Sequence, residues 1–313
     1  MTQITPDLMH RLTRPEGRVD VVLDTDTYNE IDDQYALAYL IRSEERMNLK
    51  AIYAAPFFNE KSTGPEDGME KSFQEIHNIL NLMGRAEPTA NVYRGSRNYL
   101  PSEDTPVVSE SASHLASLAM NYTPQRPLYV IAIGAITNVA SAILMNPQIT
   151  DRIVLIWLGG NAHHWPDNQE FNLMQDVAAA RVVFGCGAAL VQLPCAGVVS
   201  AFTTGEAELS AFLKGKNALC DYLADLTIRQ GRLDSPYVCW SRAIWDVTAV
   251  GWLTGKDTPE EGKQPFMYDC LVPSPIPQYD HRYSFDPNRH MIRYVYHINR
   301  DALLTDLFDR LTR

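Results

Sequence analysis

The sequence lacks long apolar stretches and has little positive charge. None of its uninterrupted apolar runs is long enough to span a bilayer, and residues 1–20 contain no apolar core of the kind that signal peptides carry. It has 27 Lys and Arg residues and 38 Asp and Glu residues, which gives a formal net charge of −11 at pH 7. This balance argues against nucleic acid or an anionic membrane as a partner. It is compatible with a neutral small substrate and a bound cation.

Cysteine is also scarce. The chain has five cysteines, an odd number, and no two of them form a CxxC pair (Cys186, Cys195, Cys220, Cys239 and Cys270). We expect them to be reduced core residues of a cytoplasmic protein, because disulfides belong to oxidising compartments. No sequence context typical of a catalytic thiol surrounds any of them.

The remaining composition favours a single α/β domain over residues 1–313. An apolar content of 45% allows a substantial core. Strand-like runs alternate with glycine-containing turns and helical segments, which predicts a mostly parallel central sheet with helices on both faces, as in Rossmann-like folds. The predicted strands are residues 19–23, 49–55, 128–133, 153–158, 189–193 and 291–298, and the predicted helices are residues 34–41, 69–83, 112–120, 176–186, 209–229 and 302–311. Residues 258–288 contain six prolines and are predicted to be loop or irregular edge structure.

Four aspartates lie at the first predicted strand-to-helix turn. Asp24 and Asp26 follow the strand, and Asp32 and Asp33 precede the helix. Open α/β sheets bind ligands at this edge, and crowded carboxylates repel one another unless a cation or a shared proton offsets their charge. Oxygen-only ligands suit a hard ion such as Ca²⁺ or Mg²⁺. Alternatively, Asp32 and Asp33 are helix N-terminal residues favoured by the dipole, which leaves Asp24 and Asp26 unexplained.

Residues 24–26 (DTD) and 32–37 (DDQYAL) resemble the amino-terminal signature of the nucleoside hydrolases, DxDxGxDDxxAL. The connecting residues 27–31 form a longer loop and lack the glycine of that signature. Further segments are similar to the family at 131–140 (IAIGAITNVA), 159–161 (GGN), 170–172 (EFN) and 243–250 (AIWDVTAV), so the resemblance covers nearly the whole chain. It implies the nucleoside hydrolase fold and a Ca²⁺-dependent enzyme that splits ribonucleosides into base and ribose.

The resemblance also implies the ligands of the metal ion. Asp26, Asp33 and Asp246 match carboxylate ligands, and the backbone carbonyl of Ile133 completes the coordination. Asp26 is in addition the catalytic residue that takes a proton from the attacking water. Taken alone, the segment around Ile133 is also compatible with an ordinary strand-to-helix turn, and Asp246 with a carboxylate at a helix start.

Other residues match the family's ribose-binding positions. A sugar with several hydroxyls needs donors and acceptors at fixed positions. The resemblance assigns this role to Asp32, Asn59, Asn161, Glu170 and Asn172. Asn168 competes with Asn161 for its position, and the roles of Asp24, Asn29 and Glu30 stay open.

Trp245 departs from the histidine that many family members carry, as the acid that protonates the leaving base. In the purine-preferring branch a tryptophan stacks on the base at this position, so we expect purine ribonucleosides as substrates. Trp245 as a buried packing residue is the alternative. The candidates for a second stacking ring are Trp165, Trp240 and Tyr237, and the candidates for another acid are His281 and His290.

Two other functions compete with hydrolysis. Asp24 and Asp26 after a strand are compatible with a Mg²⁺-dependent phosphotransferase of the DxD type, although that chemistry leaves the EFN and WD segments unexplained. A non-catalytic nucleoside sensor would keep the metal and ribose contacts without turnover, as the missing histidine at position 245 allows. By analogy with the family, we expect a homodimer or homotetramer.

Overall fold

The computed structural model describes residues 5–85, 91–257 and 261–313. The strands are β1 (Val19–Thr25), β2 (Met47–Ala54), β3 (Asn91–Arg94), β4 (Leu128–Ala132), β5 (Ile153–Leu158), β6 (Ala189–Leu193), β7 (Thr203–Thr204), β8 (Arg242–Ala243), β9 (Met267–Pro273), β10 (Ile276–Pro277), β11 (Tyr283–Ser284) and β12 (Met291–Ile298). The helices are α1 (Pro6–Leu12), α2 (Asp33–Ile41), α3 (Pro65–Leu82), α4 (Glu110–Leu118), α5 (Thr137–Met145), α6 (Phe171–Gln175), α7 (Val177–Gly185), α8 (Glu206–Phe212), α9 (Ala218–Asp234), α10 (Val247–Thr254) and α11 (Arg300–Thr312). Among these described helices, none has both the length and the apolar character that crossing a membrane requires.

Eight strands form one sheet in the order β3-β2-β1-β4-β5-β6-β12-β9. Neighbouring strands are parallel, except that β9 is antiparallel to β12. The predicted mostly parallel central sheet is therefore confirmed. The chain places β2 and β3 on one side of β1 and continues with β4 on the other, so the strand order reverses between β1 and β4. Ligands of open α/β sheets bind at such a point, outside the carboxyl ends of the strands.

Helices cover both faces of the sheet because its central strands are apolar on both sides. In β1, Val21 and Leu23 pack into one core cluster and Val22 packs into the other, since successive strand side chains point to opposite faces. The first cluster contains residues of α2, α3, α9, α10 and α11, and the second contains residues of α4, α5 and α7. On the first face α2 contacts α10, which brings the start of α10 beside the first strand-to-helix turn.

Three local predictions were wrong in part. The segment 209–229 is two helices, α8 and α9, separated by a turn in which Gly215 has a φ of +75° and Asn217 caps α9. The proline-rich segment contains β9, β10 and β11, and β9 is an edge strand, where proline costs no ladder bond on the open side; residues 258–260 lie outside the described residues. The five cysteines are free, but only Cys220 is buried, and Cys239 and Cys270 are exposed.

Candidate active site

A cavity of about 350 Å³ opens at the carboxyl ends of β1, β4, β5 and β6. Its volume falls within the roughly 300–1,000 Å³ typical of small-molecule sites. The lining includes all but one of the site residues predicted from the sequence: Asp26, Asp32, Asp33, Ile133, Asn161, Glu170, Asn172, Trp245 and Asp246. The structure thus brings together residues that are far apart in the chain, and their individual roles stay predictions.

Three aspartates from two helix starts form a tight cluster in this cavity. Carboxylate oxygens of Asp32, Asp33 and Asp246 lie within 4.8 Å of one another. Asp32 and Asp246 are the N-cap residues of α2 and α10, yet neither side chain caps its own helix. Instead, Asp32 Oδ2 accepts a hydrogen bond of 3.1 Å from the backbone nitrogen of Asp246, and Asp33 Oδ1 accepts one of 2.5 Å from Thr25 Oγ1. Helix capping therefore does not account for these carboxylates.

Burial raises the pKa of four aspartates in the cavity, and for three of them the charges of neighbouring aspartates add to this effect. Burial, followed by the charge of Asp33, raises the pKa of Asp32 to about 7, and burial raises the pKa of Asp33 to about 6. The pKa values of Asp26 and Asp246 lie well above the ordinary value, through burial first and then the charges of the neighbouring aspartates. No lysine or arginine is among the described residues that line the cavity. The cluster can therefore bind a metal cation, which would supply the missing counter-charge.

Asp26 and Ile133 lie just past the neighbouring ends of β1 and β4, beside the three aspartates. The backbone nitrogen of Ile133 donates to the carbonyl of Asp24 over 2.9 Å. The next residue, Gly134, lies so close to Asp26 that a Cβ at Gly134 would be 3.0 Å from Asp26 Oδ1. Asp26 Oδ2 is buried and has no hydrogen-bond partner among the described residues. A buried carboxylate oxygen without a partner is costly, so its position fits a site that a ligand or a cation completes.

Asp24 lies behind the cavity. Its Oδ1 accepts a hydrogen bond of 2.8 Å from Asn138 Nδ2, while its Oδ2 is buried without a partner among the described residues. Burial raises the pKa of Asp24 to about 7, against the lowering effect of the Asn138 hydrogen bond. Asp24 is not among the residues that line the cavity. This placement does not favour the DxD phosphotransferase, whose first aspartate has to reach the substrate.

Glu170 is held by backbone donors at the start of α6. Its carboxylate accepts hydrogen bonds from the backbone nitrogens of Gly160 (2.8 Å), Asn172 (2.9 Å) and Leu173 (2.9 Å). The turn at Gly160 requires glycine, because its φ is +74° and a Cβ there would lie 1.9 Å from the Tyr283 hydroxyl. These contacts fix the direction of the Glu170 carboxylate within the cavity.

Two asparagines complete the same side of the cavity. Asn172 Nδ2 donates to the carbonyl of Ile133 over 3.3 Å, which ties the predicted sugar side to the predicted metal side. Asn161 Oδ1 accepts a hydrogen bond of 3.1 Å from Ala196 N. The competing residue, Asn168, lies outside the lining, and its Oδ1 accepts from the backbone nitrogen of Asn161 over 2.7 Å. Asn161 therefore faces the cavity and Asn168 supports it.

Asn59 lies outside the cavity lining. Its Nδ2 donates a hydrogen bond of 2.6 Å to Oδ1 of Asn29, which does line the cavity. Lys61 braces the same loop, since its Nζ donates to the Asn29 carbonyl over 2.7 Å. In this arrangement Asn59 contacts the site through Asn29, and its direct contact with a ligand stays a prediction.

Two tryptophans line the cavity. Trp245 is partly buried beside Asp246, and Trp165 is 44% exposed. The lining contains no histidine within the part of the chain that the structure describes. The other candidates for a stacking ring or an acid lie outside it: Trp240, Tyr237, His281 and His290.

Sequence reasoning did not single out several residues of the lining. Cys195 and Ala196 lie just past the end of β6, after one intervening residue. Ligands of open α/β sheets bind at the carboxyl ends of the strands, and the rule that identified Asp26 therefore also applies to them. Asp167 and Gln169 lie in the same loop as Glu170. Their position beside the EFN segment was the signal that could have found them.

Known proteins resemble the chain in sequence. The family model described as inosine-uridine preferring nucleoside hydrolase matches residues 21–269. A probable ribonucleoside hydrolase of Dictyostelium discoideum is 28% identical over 127 residues, which are 40% of this chain and 36% of that protein. An inosine-uridine preferring nucleoside hydrolase of Leishmania major is 31% identical over 182 residues, which are 52% of this chain and 56% of that protein. The alignments thus span about a third and about half of the length of these relatives.

Solved structures resemble the chain over nearly its whole length. A plant nucleoside hydrolase superposes with a TM-score of 0.73 at 17% identity, covering 95% of this chain and 99% of the other. A purine-preferring ribonucleoside hydrolase from Gardnerella vaginalis superposes with a TM-score of 0.71 at 17% identity, covering 94% and 98%. At these identities the likeness establishes the fold. Because the family model matches most of the sequence, the chain belongs to the inosine-uridine preferring nucleoside hydrolases, a family of enzymes that act on N-glycosyl bonds.

Proposed function

We propose that this chain hydrolyses the N-glycosidic bond of ribonucleosides, with a preference for purines and with bound Ca²⁺. The observation that carries the proposal is the convergence of the aspartates after β1, the carbonyl after β4, the EFN segment and the WD segment on one cavity. The family and the fold support the same chemistry.

The cation site consists of Asp26, Asp33, Asp246 and the carbonyl of Ile133. All four supply oxygen, and Ca²⁺ takes ~6–8 oxygen ligands, so water and a sugar diol can fill the remaining positions. The buried, unpartnered Oδ2 of Asp26 supports this assignment. When bound, Ca²⁺ lowers the pKa of water and orients the sugar hydroxyls.

The sugar binds beside the cation site, where the predicted ribose-binding residues line the cavity. Asp32 and Glu170 accept hydrogen bonds from ribose hydroxyls, while Asn161 and Asn172 both donate and accept. Asn59 acts through Asn29, which it holds over 2.6 Å. Because a 2′-deoxynucleoside leaves one of these buried groups unpaired, it is a much poorer substrate.

Asp26 is the catalytic base. It accepts a proton from the attacking water as the C–N bond breaks and the ribose gains oxocarbenium character. Burial, and after it the charges of Asp33 and Asp32, raise the pKa of Asp26, which makes its ionised carboxylate a stronger base. The surrounding carboxylates and amide oxygens stabilise the positive charge that develops on the sugar.

The base lies against Trp245. The position of Trp165 in the same lining supports a second stacking contact. In this proposal stacking on the indole rings activates the leaving base, which takes its proton from water. The larger ring of a purine gains more from two indole faces than a pyrimidine does.

Release of free ribose tests the proposal. The purified protein is incubated with inosine, guanosine, adenosine, uridine and cytidine in Ca²⁺ or in chelator, and reducing sugar is measured. We expect ribose from the purine nucleosides in Ca²⁺, loss of more than ~10³-fold in Asp26→Ala, and normal activity in the control Asp280→Asn, which is exposed and outside the cavity. Tight nucleoside binding without ribose release would instead identify a nucleoside sensor.

The proposal extends to the assembly and the surroundings of the protein. The chain is one domain that forms a homodimer or homotetramer in the cytoplasm, in line with its five free cysteines. Light scattering of the purified protein measures the assembly, and cell fractionation measures the location.

A further inference from the structure

Arg242 lies at the rim of the cavity and joins three separate segments of the chain. Its guanidinium donates a hydrogen bond of 2.6 Å to Glu30 Oε2 and forms an ion pair with Asp234 at the end of α9. It also lies over the ring of Trp245, 5.9 Å from the ring centroid. The side chain is only 14% exposed, so these contacts are largely shielded from water.

The backbone around Arg242 is fixed independently of its side chain. Arg242 pairs with Thr204 in the short antiparallel ladder of β7 and β8. The backbone nitrogen of Ile244 then donates to the carbonyl of Phe202 over 3.0 Å. A substitution at Arg242 therefore leaves the path of the chain to Trp245 in place and removes only the side-chain contacts.

Few polar contacts hold the Trp245 ring. Its Nε1 is buried and has no hydrogen-bond partner among the described residues, so no hydrogen bond sets the orientation of the indole. Besides apolar packing against the core, the guanidinium of Arg242 is the group that faces the ring. Such cation–π contacts contribute more when they are shielded from water.

Arg242 is also the counter-ion of Glu30, which lines the cavity. The carboxylate of Glu30 lies near that of Asp32, whose charge acts against it. The charge of Lys61 also acts on Glu30, but Arg242 is the cation that donates a hydrogen bond to it. Loss of Arg242 would therefore leave Glu30 with less to offset the repulsion from Asp32.

We propose that Arg242 is a positioning residue that fixes the Trp245 ring at the base-binding end of the cavity and holds Glu30 at the rim. This inference rests on the proposed ribonucleoside hydrolysis. Arginine suits both tasks, because its planar fork binds two carboxylates while its face lies over an aromatic ring. A lysine ammonium is a point charge that can pair with Glu30 but cannot bind a second carboxylate in the fixed geometry of a planar fork.

The test compares Arg242→Gln and Arg242→Lys with a matched control. Arg94→Gln removes the same two kinds of contact, an ion pair and a cation–π contact, at a position outside the cavity. Arg94 pairs with Glu70 at 2.7 Å and lies 3.9 Å from the Phe73 ring centroid. We expect Arg242→Gln to raise KM for inosine about tenfold with kcat within about threefold, and to raise KM for uridine less. Arg242→Lys should give an intermediate KM for inosine, and Arg94→Gln should leave both constants unchanged.

Two results would overturn the inference. One is an unchanged KM for inosine in Arg242→Gln; the other is an equal rise for inosine and uridine, which would show that the ring plays no part. Melting temperatures of all variants, measured in parallel, exclude a loss of folded protein. Inosine affinity is also measured by calorimetry in Asp26→Ala, with and without Arg242→Gln. If the wild type releases no ribose but this affinity falls with Arg242→Gln, the proposed function fails and the positioning role stands.

Discussion

Replacing Asp246 by asparagine tests whether the carboxylate cluster is built for a cation. The variant keeps the shape of the side chain and removes one of three charges whose oxygens lie within 4.8 Å of one another. At that separation and an effective dielectric constant of ~20, two full charges repel by about 3–4 kcal/mol. Protonation relieves part of this repulsion, because burial raises the pKa of Asp32 to about 7. Without metal at pH 8, we therefore expect the free energy of unfolding of Asp246→Asn to be about 1–3 kcal/mol higher than that of the wild type.

In Ca²⁺ the stability advantage of Asp246→Asn over the wild type should disappear or reverse. A ligand that binds only the native state at a hundredfold excess over Kd stabilises it by about 2.7 kcal/mol. The wild type should gain this stabilisation, and Asp246→Asn should gain far less because a carboxylate ligand is missing. If Asp246 only stabilised the start of α10, its replacement would neither raise the stability without metal nor weaken the stabilisation by Ca²⁺.

Urea unfolding followed by tryptophan fluorescence measures both effects at pH 8, in chelator and in excess Ca²⁺. The exposed Asp280→Asn serves as the control for the loss of one charge from a chain of net charge −11. The reasoning fails if Asp246→Asn is less stable than the wild type in chelator. It fails equally if Ca²⁺ stabilises the two proteins by the same amount.

Three further predictions use the same cavity. In chelator, the stability advantage of Asp246→Asn should shrink as pH falls from 8 to 5. Burial raises the pKa of Asp32 to about 7 and that of Asp33 to about 6, so in this range the native wild type takes up protons that the unfolded chain hardly binds, and the repulsion within its cluster falls. An advantage independent of pH would contradict this. Gly134→Ala should lower kcat at least tenfold with an unchanged circular dichroism spectrum, because the new Cβ would lie 3.0 Å from Asp26 Oδ1 and 3.1 Å from the Ala55 Cβ; wild-type kcat would show that Asp26 yields freely. Trp245→Ala should raise KM for inosine by about tenfold or more and for uridine by less, as initial rates over a range of each nucleoside would show.

The sheet and most of its elements could be predicted from the sequence because their signals are local. The strand predicted at residues 19–23 is observed as β1, Val19–Thr25, and those at 153–158, 189–193 and 291–298 have the observed bounds. The first three are short, mostly apolar runs that are buried by helices on both faces, so the run itself carries the information. The strand at 291–298 instead alternates in polarity, and its residues 296 and 297 are exposed. The proline-rich segment misled the prediction because an edge strand tolerates prolines that a central strand does not.

The site was predictable where motif and topology agree, and not where side chains meet across the fold. The residues after β1, β4 and β5 lie at one sheet edge by the rules for parallel strands, and they are found there. The hydrogen bond between Arg242 and Glu30 joins residues that are 212 positions apart in the sequence, and the one between Asn59 and Asn29 joins residues that are 30 positions apart. No periodicity or spacing encodes such pairs, because they depend on how helices and loops pack above the sheet.

The size of the electrostatic terms decides how the aspartate cluster can persist. Asp32 and Asp246 occupy the N-cap positions of α2 and α10 without a side-chain capping bond, and a helix amino terminus stabilises a nearby carboxylate by about 0.3–1 kcal/mol, or ~2 kcal/mol when partly buried. Repulsion between two full charges at the observed separation is about 3–4 kcal/mol for each pair, and three such pairs exist among Asp32, Asp33 and Asp246. Two helix dipoles therefore cannot offset the repulsion of three ionised carboxylates. Near neutral pH the cluster must bind either protons or a cation, and only the cation leaves its oxygens free of protons and able to accept from a sugar.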